Sequence, residues 1–219
     1  MEVTQVLLAR VVQAVKPLGA AVYLPEIASK LKTKYEFVTA PKERELEELV
    51  SSDATKGAEF RHGRLIAGGR AVIVQELTVF NDGVIVDTTT STDDSDLFLT
   101  GLLEWAREVL DVKTVGPRIY VSSLEIRMDV TLEKYVPTFG PIGDKIGALL
   151  NGYGIEAPRY EVSEVTLSFD QFGRLAPQPG TFNLERRANV PYDKDIWFTQ
   201  APLKTADHIE LLSDLEKQL

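Results

Sequence analysis

Apolar residues recur at helical spacing in some segments of this chain, and in others they alternate with polar residues as in strands. An amphipathic N-terminal helix is predicted from apolar residues at helical spacing, namely Val3, Val6, Leu7, Val11, Ala14 and Val15. The Pro17-Leu18-Gly19 sequence ends this helix. A second helix is predicted from Leu24 to Lys34, because Pro25 suits a first helical turn. Ser51 to Gly57 best fits a linker, so we expect a helical arm at 1–55 and a main domain at 56–219.

Residues 60–90 predict three strands joined by tight turns. Gly68-Gly69 separates the first two strands, and Asn81-Asp82-Gly83 separates the second from the third. A long helix follows, for which Ser91 to Asp94 supply capping residues. Its apolar stripe consists of Phe98, Leu102, Trp105, Ala106 and Val109.

The second half of the chain also mixes strands and helices. Residues 118–130 are predicted to form a strand. From Leu124 to Val130 apolar residues alternate with Glu125, Arg127 and Asp129, which predicts one packed face and one face that is wet or bound. Residues 135–151 are predicted to be broadly helical, with a break at 139–143. Further strands are predicted at 160–169, after Phe182 and at 196–199, before a terminal helix that Thr205 caps. No internal repeat is evident.

These elements predict an α+β fold. It consists of a mostly antiparallel sheet of about six strands with helices packed on one face, plus the N-terminal helical arm. If helices cover the apolar face, the other face is open and presents alternating polar side chains. These are Glu125, Arg127, Asp129, Glu164, Thr166, Glu185 and Arg187. This open sheet face is the most suggestive functional feature of the sequence.

The open sheet face has two interpretations. Arg127 or Arg187 could hold an anionic group while Glu125 or Glu164 handles protons, since neighbouring carboxylates push each other's pKa values apart. Cross-strand ion pairs on a solvated face give the same alternation, each worth a fraction of a kcal/mol. We favour the second interpretation, with partner binding ahead of catalysis as the functional use of the face.

Other candidate chemistry is sparse. Of the two histidines, His62 is either an exposed strand residue, which we favour, or a catalytic base, and His208 is expected to pack at the start of the last helix. An acidic cluster favours helix capping over cation binding: Asp87, Asp93, Asp94 and Asp96. The Gly140 to Lys145 segment lacks the spacing of phosphate-binding loops. We predict no metal site and no cofactor.

Composition narrows the class of protein. The 219 residues are 44% hydrophobic and 26% charged, as in a globular domain, and include no cysteine, which fits a reducing, cytoplasmic setting. No stretch approaches the roughly 20 apolar residues of a membrane span. The formal net charge is −9, and residues 81–111 carry one arginine against eight acids. That negative field disfavours binding to nucleic acid.

The sequence therefore predicts a non-enzymatic interaction module or subunit of a cytoplasmic assembly. It would dock a partner chain or a second copy of itself through the arm or the open sheet face. The alternative is a cofactor-free enzyme that uses carboxylates and arginines of the open sheet face on a small polar or phosphorylated substrate. A third possibility, that the Leu24 to Lys34 helix reads DNA, is disfavoured by the flanking acids, and no membrane partner is expected.

Overall fold

A computed structural model describes residues 1–17, 24–42, 44–46, 57–110, 112–129, 132, 136–156, 160–170, 172 and 178–218. The described elements are, in order, β1 (Glu2–Pro17), α1 (Leu24–Lys34), β2 (Ala58–Ala67), β3 (Arg70–Val79), β4 (Gly83–Thr88), α2 (Thr92–Leu110), β5 (Val112–Arg127), α3 (Gly140–Gly152), β6 (Glu164–Leu167), β7 (Phe182–Arg186), a 3₁₀ turn (Tyr192–Lys194), β8 (Ile196–Ala201) and α4 (Thr205–Lys217). The strands form one antiparallel sheet in the order β2-β3-β4-β1-β5-β8-β7-β6. The predicted class, mixed helix and antiparallel sheet, is confirmed, although the sheet has eight strands instead of about six.

The predicted N-terminal helix is wrong, because residues 2–17 form the central strand β1. Val3, Val6 and Ala9 lie opposite Ile126, Leu124 and Ser122 of β5. The three β5 residues are two positions apart, as in a regular strand. Their partners on β1 are three positions apart, because bulges interrupt the register between Val3 and Gln5 and between Val6 and Leu8. Two successive bulges thus give a strand the apolar spacing of a helix. Of the predicted linker, Ser51 to Gly57, residues 51–56 lie outside the described residues.

The predicted break in α3 is also wrong, because the helix begins at Gly140 and takes Pro141 into its first turn. By contrast, α1 runs from Leu24 to Lys34 as predicted. The three strands after the linker and the helix α2 also match the predictions closely.

The described elements repeat. A strand, a helix, three strands and a helix occur in this order from β1 to α2 and again from β5 to α4. The strand order of the sheet is the same from either edge once β1 is matched with β5, β2 with β6, β3 with β7 and β4 with β8. The halves are therefore related by a pseudo-twofold axis that passes between β1 and β5, where Ala9 lies opposite Ser122. This repeat corrects the sequence analysis, which found none.

Contacts at the axis obey this symmetry. Helices α2 and α4 cap each other: the Thr92 N–H donates to Thr205 Oγ1 at 3.0 Å, and the Thr205 N–H donates to Thr92 Oγ1 at 2.8 Å. Thr92 and Thr205 are 113 residues apart along the chain. The same separation relates Leu99 to Leu212, and both are fully buried. Equivalent residues can therefore be assigned in the two halves.

The core has two parts, one in each half. The first joins α1 and α2 to strands β1–β4 and includes Leu31, Tyr35, Phe60, Leu77, Val86, Phe98 and Leu102. The second joins α4 to strands β5, β7 and β8 and includes Leu124, Ile126, Leu184, Trp197 and Leu212. Val11 lies opposite Tyr120, which shares a strand face with Leu124, so α1, α2 and α4 all pack on the same face of the sheet.

The hydroxyl of Tyr35 is a buried polar group in the first part of the core, and its burial costs free energy of folding. The Tyr35 ring packs on Phe98 at 4.6 Å between centroids, and its buried hydroxyl has no hydrogen-bond partner among the described residues. Burial, and to a lesser extent the charge of Glu104, raises the pKa of Tyr35 to about 12. We expect Tyr35→Phe to raise the free energy of unfolding by about 1 kcal/mol, because the variant removes an unpaired buried polar group. Urea denaturation measures this change.

An exposed tyrosine supplies a control for this experiment. Tyr192 is 45% exposed, so Tyr192→Phe should leave the unfolding midpoint unchanged. A destabilised Tyr35→Phe variant would mean that the hydroxyl does have a partner.

Candidate binding face

The strand register places the predicted polar residues on one face. Glu125 lies opposite Phe198, Phe198 opposite Glu185, and Glu185 opposite Glu164, so a single row crosses β5, β8, β7 and β6. Side chains opposite each other on paired strands share a face. This is the face away from α1, α2 and α4, because Glu125 alternates with the core residues Leu124 and Ile126.

Ion pairs connect the strands of the open sheet face. Arg187 Nε lies 3.2 Å from Glu125 Oε2, and Arg127 Nη1 lies 3.3 Å from Glu2 Oε2. Glu125 also accepts a hydrogen bond from the Thr4 hydroxyl at 2.9 Å. Both arginines that were proposed to hold an anion are thus already paired with carboxylates of the same chain.

The remaining predicted residues of this face lie apart from those pairs. Glu164 accepts a hydrogen bond from the Thr166 hydroxyl at 2.8 Å and is exposed, and Asp129 is exposed beyond the end of β5. Glu125 and Arg187 therefore meet, whereas Glu164 and Arg127 do not join them. Proton handling by Glu125 or Glu164 and anion binding by Arg127 or Arg187 stay predictions.

The most buried ion pair of the open sheet face was missed from sequence. Arg10 on β1 donates to both carboxylate oxygens of Asp87 on β4, Nε to Oδ1 at 2.7 Å and Nη2 to Oδ2 at 2.6 Å. The hydrogen bond with Asp87 raises the pKa of Arg10 against the effect of burial, and Glu76 adds a smaller contribution. The pair was missed because Arg10 was assigned to a helix and Asp87 to a capping cluster. An aspartate within the apolar Val84-Ile85-Val86 strand was the signal available.

A depression of about 390 Å³ lies beside this pair. Leu7, Leu8, Arg61, His62, Gln75, Glu76, Asp87, Thr88 and Thr89 line it. Among these residues, Arg61 forms an ion pair with Glu76 at 3.1 Å. Arg61 also forms an ion pair with Glu59 at 2.9 Å. His62 is exposed there, as the favoured interpretation expected, and its backbone adopts a left-handed φ of 55°. A catalytic role for His62 stays a prediction.

A second depression, of about 190 Å³, is mostly apolar. Val12 on β1 lies opposite both Ile85 on β4 and Ile119 on β5, so the three side chains form a row on the open sheet face. The rest of its lining consists of Gln13, Ala14, Phe80, Asp82, Gly83, Val84 and Pro117. No residue of a described helix lines either depression.

The four acids of the cluster all pair with basic side chains. Asp94 pairs with Arg70 and accepts from the Thr90 hydroxyl at 2.6 Å, and Asp96 accepts from Arg118 at 2.6 Å. The described part of the chain contains no group of three or more acidic or histidine side chains able to hold a metal ion. The start of α2 is capped by Ser91, whose Oγ accepts from the Asp94 N–H at 3.1 Å, and capping by the carboxylates of the cluster stays a prediction.

These features define a mixed helix-and-sheet protein with one antiparallel sheet, whose open face carries both ion pairs and an apolar pocket. None of the described helices is long and apolar enough to cross a membrane. Compared with family models, with curated proteins and with solved structures, the chain matches none.

Proposed function

We propose that this protein is a non-enzymatic interaction module that docks another protein chain on its open sheet face, as a subunit of a cytoplasmic assembly. The observation that supports this proposal is the apolar pocket formed by Val12, Ile85 and Ile119 in a face that also carries many charged side chains. Protein interfaces combine an apolar centre with a polar rim, and buried anchors in pockets supply most of the binding energy.

The surrounding charges fit this use of the face. Arg10, Arg127 and Arg187 each lie against a carboxylate of the same chain. A partner on this face would therefore meet arginines whose charges are already balanced, and its affinity would come from an apolar side chain in the pocket. Eight strands about 4.8 Å apart span roughly 34 Å, enough for a standard interface of about 800 Å² per partner.

Site-specific photo-crosslinking in the source cells tests this proposal. We expect a photoreactive phenylalanine analogue at position 119 to form one discrete adduct with another protein chain, identified by mass spectrometry. The same analogue at Val38, an exposed apolar residue outside the strands, should form no such adduct. Adding Ile85→Lys should abolish the adduct at position 119, because a charge would occupy the pocket.

Two outcomes would reject the proposal. One is the absence of a position-specific adduct from a folded protein. The other is an adduct that persists in the Ile85→Lys background, which would show that the pocket does not anchor the partner.

A further inference from the structure

Helix α3 exposes a continuous apolar stripe. Its members repeat every three or four residues and are all exposed: Phe139, Ile142, Ile146, Leu149 and Tyr153. Leu149 is 49% exposed and Tyr153 is 72% exposed. A stripe with this spacing lies on one side of a helix and normally faces a core or a partner.

The pseudo-twofold axis identifies α1 as the counterpart of α3. Both helices end with a tyrosine, a residue of left-handed backbone and an apolar residue: Tyr35-Glu36-Phe37 and Tyr153-Gly154-Ile155, with φ values of 51° at Glu36 and 78° at Gly154. Phe37 N–H donates to the Lys32 carbonyl at 3.0 Å, and Ile155 N–H donates to the Leu150 carbonyl at 3.0 Å. Leu31 and Tyr35 therefore correspond to Leu149 and Tyr153.

The first half of the molecule shows what covers such a stripe. There, Tyr35 is buried against Phe98 of α2. The residue of α4 that corresponds to Phe98 is Leu211, by the same offset that relates Thr92 to Thr205, and Leu211 is 44% exposed. In the second half, both sides of the equivalent contact are therefore exposed.

A contact that α1 lacks fixes the position of α3 in its own chain. Gly143 lies so close to the following segment that a Cβ atom there would come within 2.4 Å of the Tyr160 carbonyl oxygen. Helix α1 contains no glycine. This contact distinguishes α3 from α1, and the exposure of the stripe of α3 leaves it available to another molecule.

We infer that α3 of one copy of this chain docks on α4 of a second copy, as α1 docks on α2 within each copy. The exchange is reciprocal, so both stripes are covered and the dimer closes around a twofold axis. Because α3 carries one acid and one base, Asp144 and Lys145, no net charge on this helix opposes its approach to the acidic α4. This surface is separate from the open sheet face and does not depend on the function proposed above.

Cysteine crosslinking tests the contact directly, since the chain has no native cysteine. Single variants Tyr153→Cys and Leu211→Cys, mixed and treated with a short bifunctional maleimide, should give a covalent dimer. Tyr153→Cys mixed with Val38→Cys should not. In the double variant Tyr153→Cys/Leu211→Cys, crosslinks between chains support the inference. Crosslinks confined to single chains overturn it, because they would show that α3 closes on its own α4.

Light scattering over a range of concentrations provides an independent readout. The unmodified protein should have the mass of a dimer, and Leu211→Lys should be a folded monomer, because Leu211 is already exposed within one chain. Ile66→Lys, a matched change of an exposed apolar residue on β2, should remain a dimer. A monomer at every concentration overturns the inference, and so does a Leu211→Lys dimer, which would point to pairing of α3 with α3. Neither result affects crosslinking at position 119.

Discussion

Replacing Asp87 by alanine should lower the free energy of unfolding by about 3 kcal/mol, because it leaves the half-buried Arg10 guanidinium without its counterion. Arg10 makes two hydrogen bonds to Asp87, and the aspartate side chain is only 10% exposed. The partly exposed arginine can recover some hydration, so the loss should lie at the lower end for a broken buried pair. Urea denaturation at pH 7 measures it.

The second half of the molecule suggests how to restore this stability without charges. The residues equivalent to Arg10 and Asp87 are Ser123 and Gln200, and the Ser123 hydroxyl lies 3.3 Å from Gln200 Oε1. The double variant Arg10→Ser/Asp87→Gln copies this neutral pair into the first half. We expect its stability to lie within about 1 kcal/mol of the unmodified protein, since removing both members of an ion pair costs less than removing one. A double variant as unstable as Asp87→Ala would mean that the charges themselves stabilise the sheet.

Sequence patterns located helices and strands correctly wherever the local signal was unambiguous. The capping residues Ser91 to Asp94 and the stripe that includes Phe98 and Leu102 located α2, and turn glycines located the β2–β3–β4 strands. They failed for β1, because the two bulges place its core residues Val3, Val6 and Ala9 at a helix-like spacing. Bulges depend on how strands pair, and pairing is a tertiary property that one segment does not reveal.

The repeat was hidden because the two halves conserve geometry more than residue identity. Thr92 and Thr205 agree, as do Leu99 and Leu212, since both pairs cap or bury the same helix positions. Between them, Ser95 corresponds to His208. Both are buried polar residues: Ser95 donates to the Ala9 carbonyl, and His208 lies against the backbone of Ser122, the counterpart of Ala9, and also bonds to Thr199. Equivalent positions in the two halves need only side chains of similar shape and hydrogen-bonding capacity. The repeat is therefore not visible in the residue identities.

The open sheet face was partly predictable. Alternation in β5 and β7 correctly placed Glu125 and Glu185 on one face, because side chains of a strand alternate sides. Alternation does not give the register, so the meeting of Glu125 with Arg187 could not be predicted. The apolar pocket also escaped prediction, since Val12, Ile85 and Ile119 come from three strands, one of which was taken for a helix.

His208 should make the stability of this protein depend strongly on pH. The side chain is fully buried, in keeping with the packing role expected from sequence, and its Nε2 lies 3.0 Å from Thr199 Oγ1. Burial lowers the pKa of His208 from its ordinary value of 6.5 to about 4, and a hydrogen bond with the Ser122 backbone opposes this shift. Because the unfolded chain takes up the proton below about 6.5 and the folded protein only below about 4, the unfolded state is favoured increasingly as the pH falls between these values.

We therefore expect the free energy of unfolding to fall by roughly 3 kcal/mol from pH 7 to pH 4 on account of His208 alone. Carboxylates also titrate near the lower end of this range, so the contribution of His208 is the difference between the protein and His208→Gln, a variant that keeps a donor to Thr199 but cannot be protonated. The two curves of unfolding free energy against pH should differ by a constant amount above pH 7 and converge or cross as the pH falls to 4. Parallel curves over the whole range would show that His208 titrates normally and that its burial does not penalise the charged form.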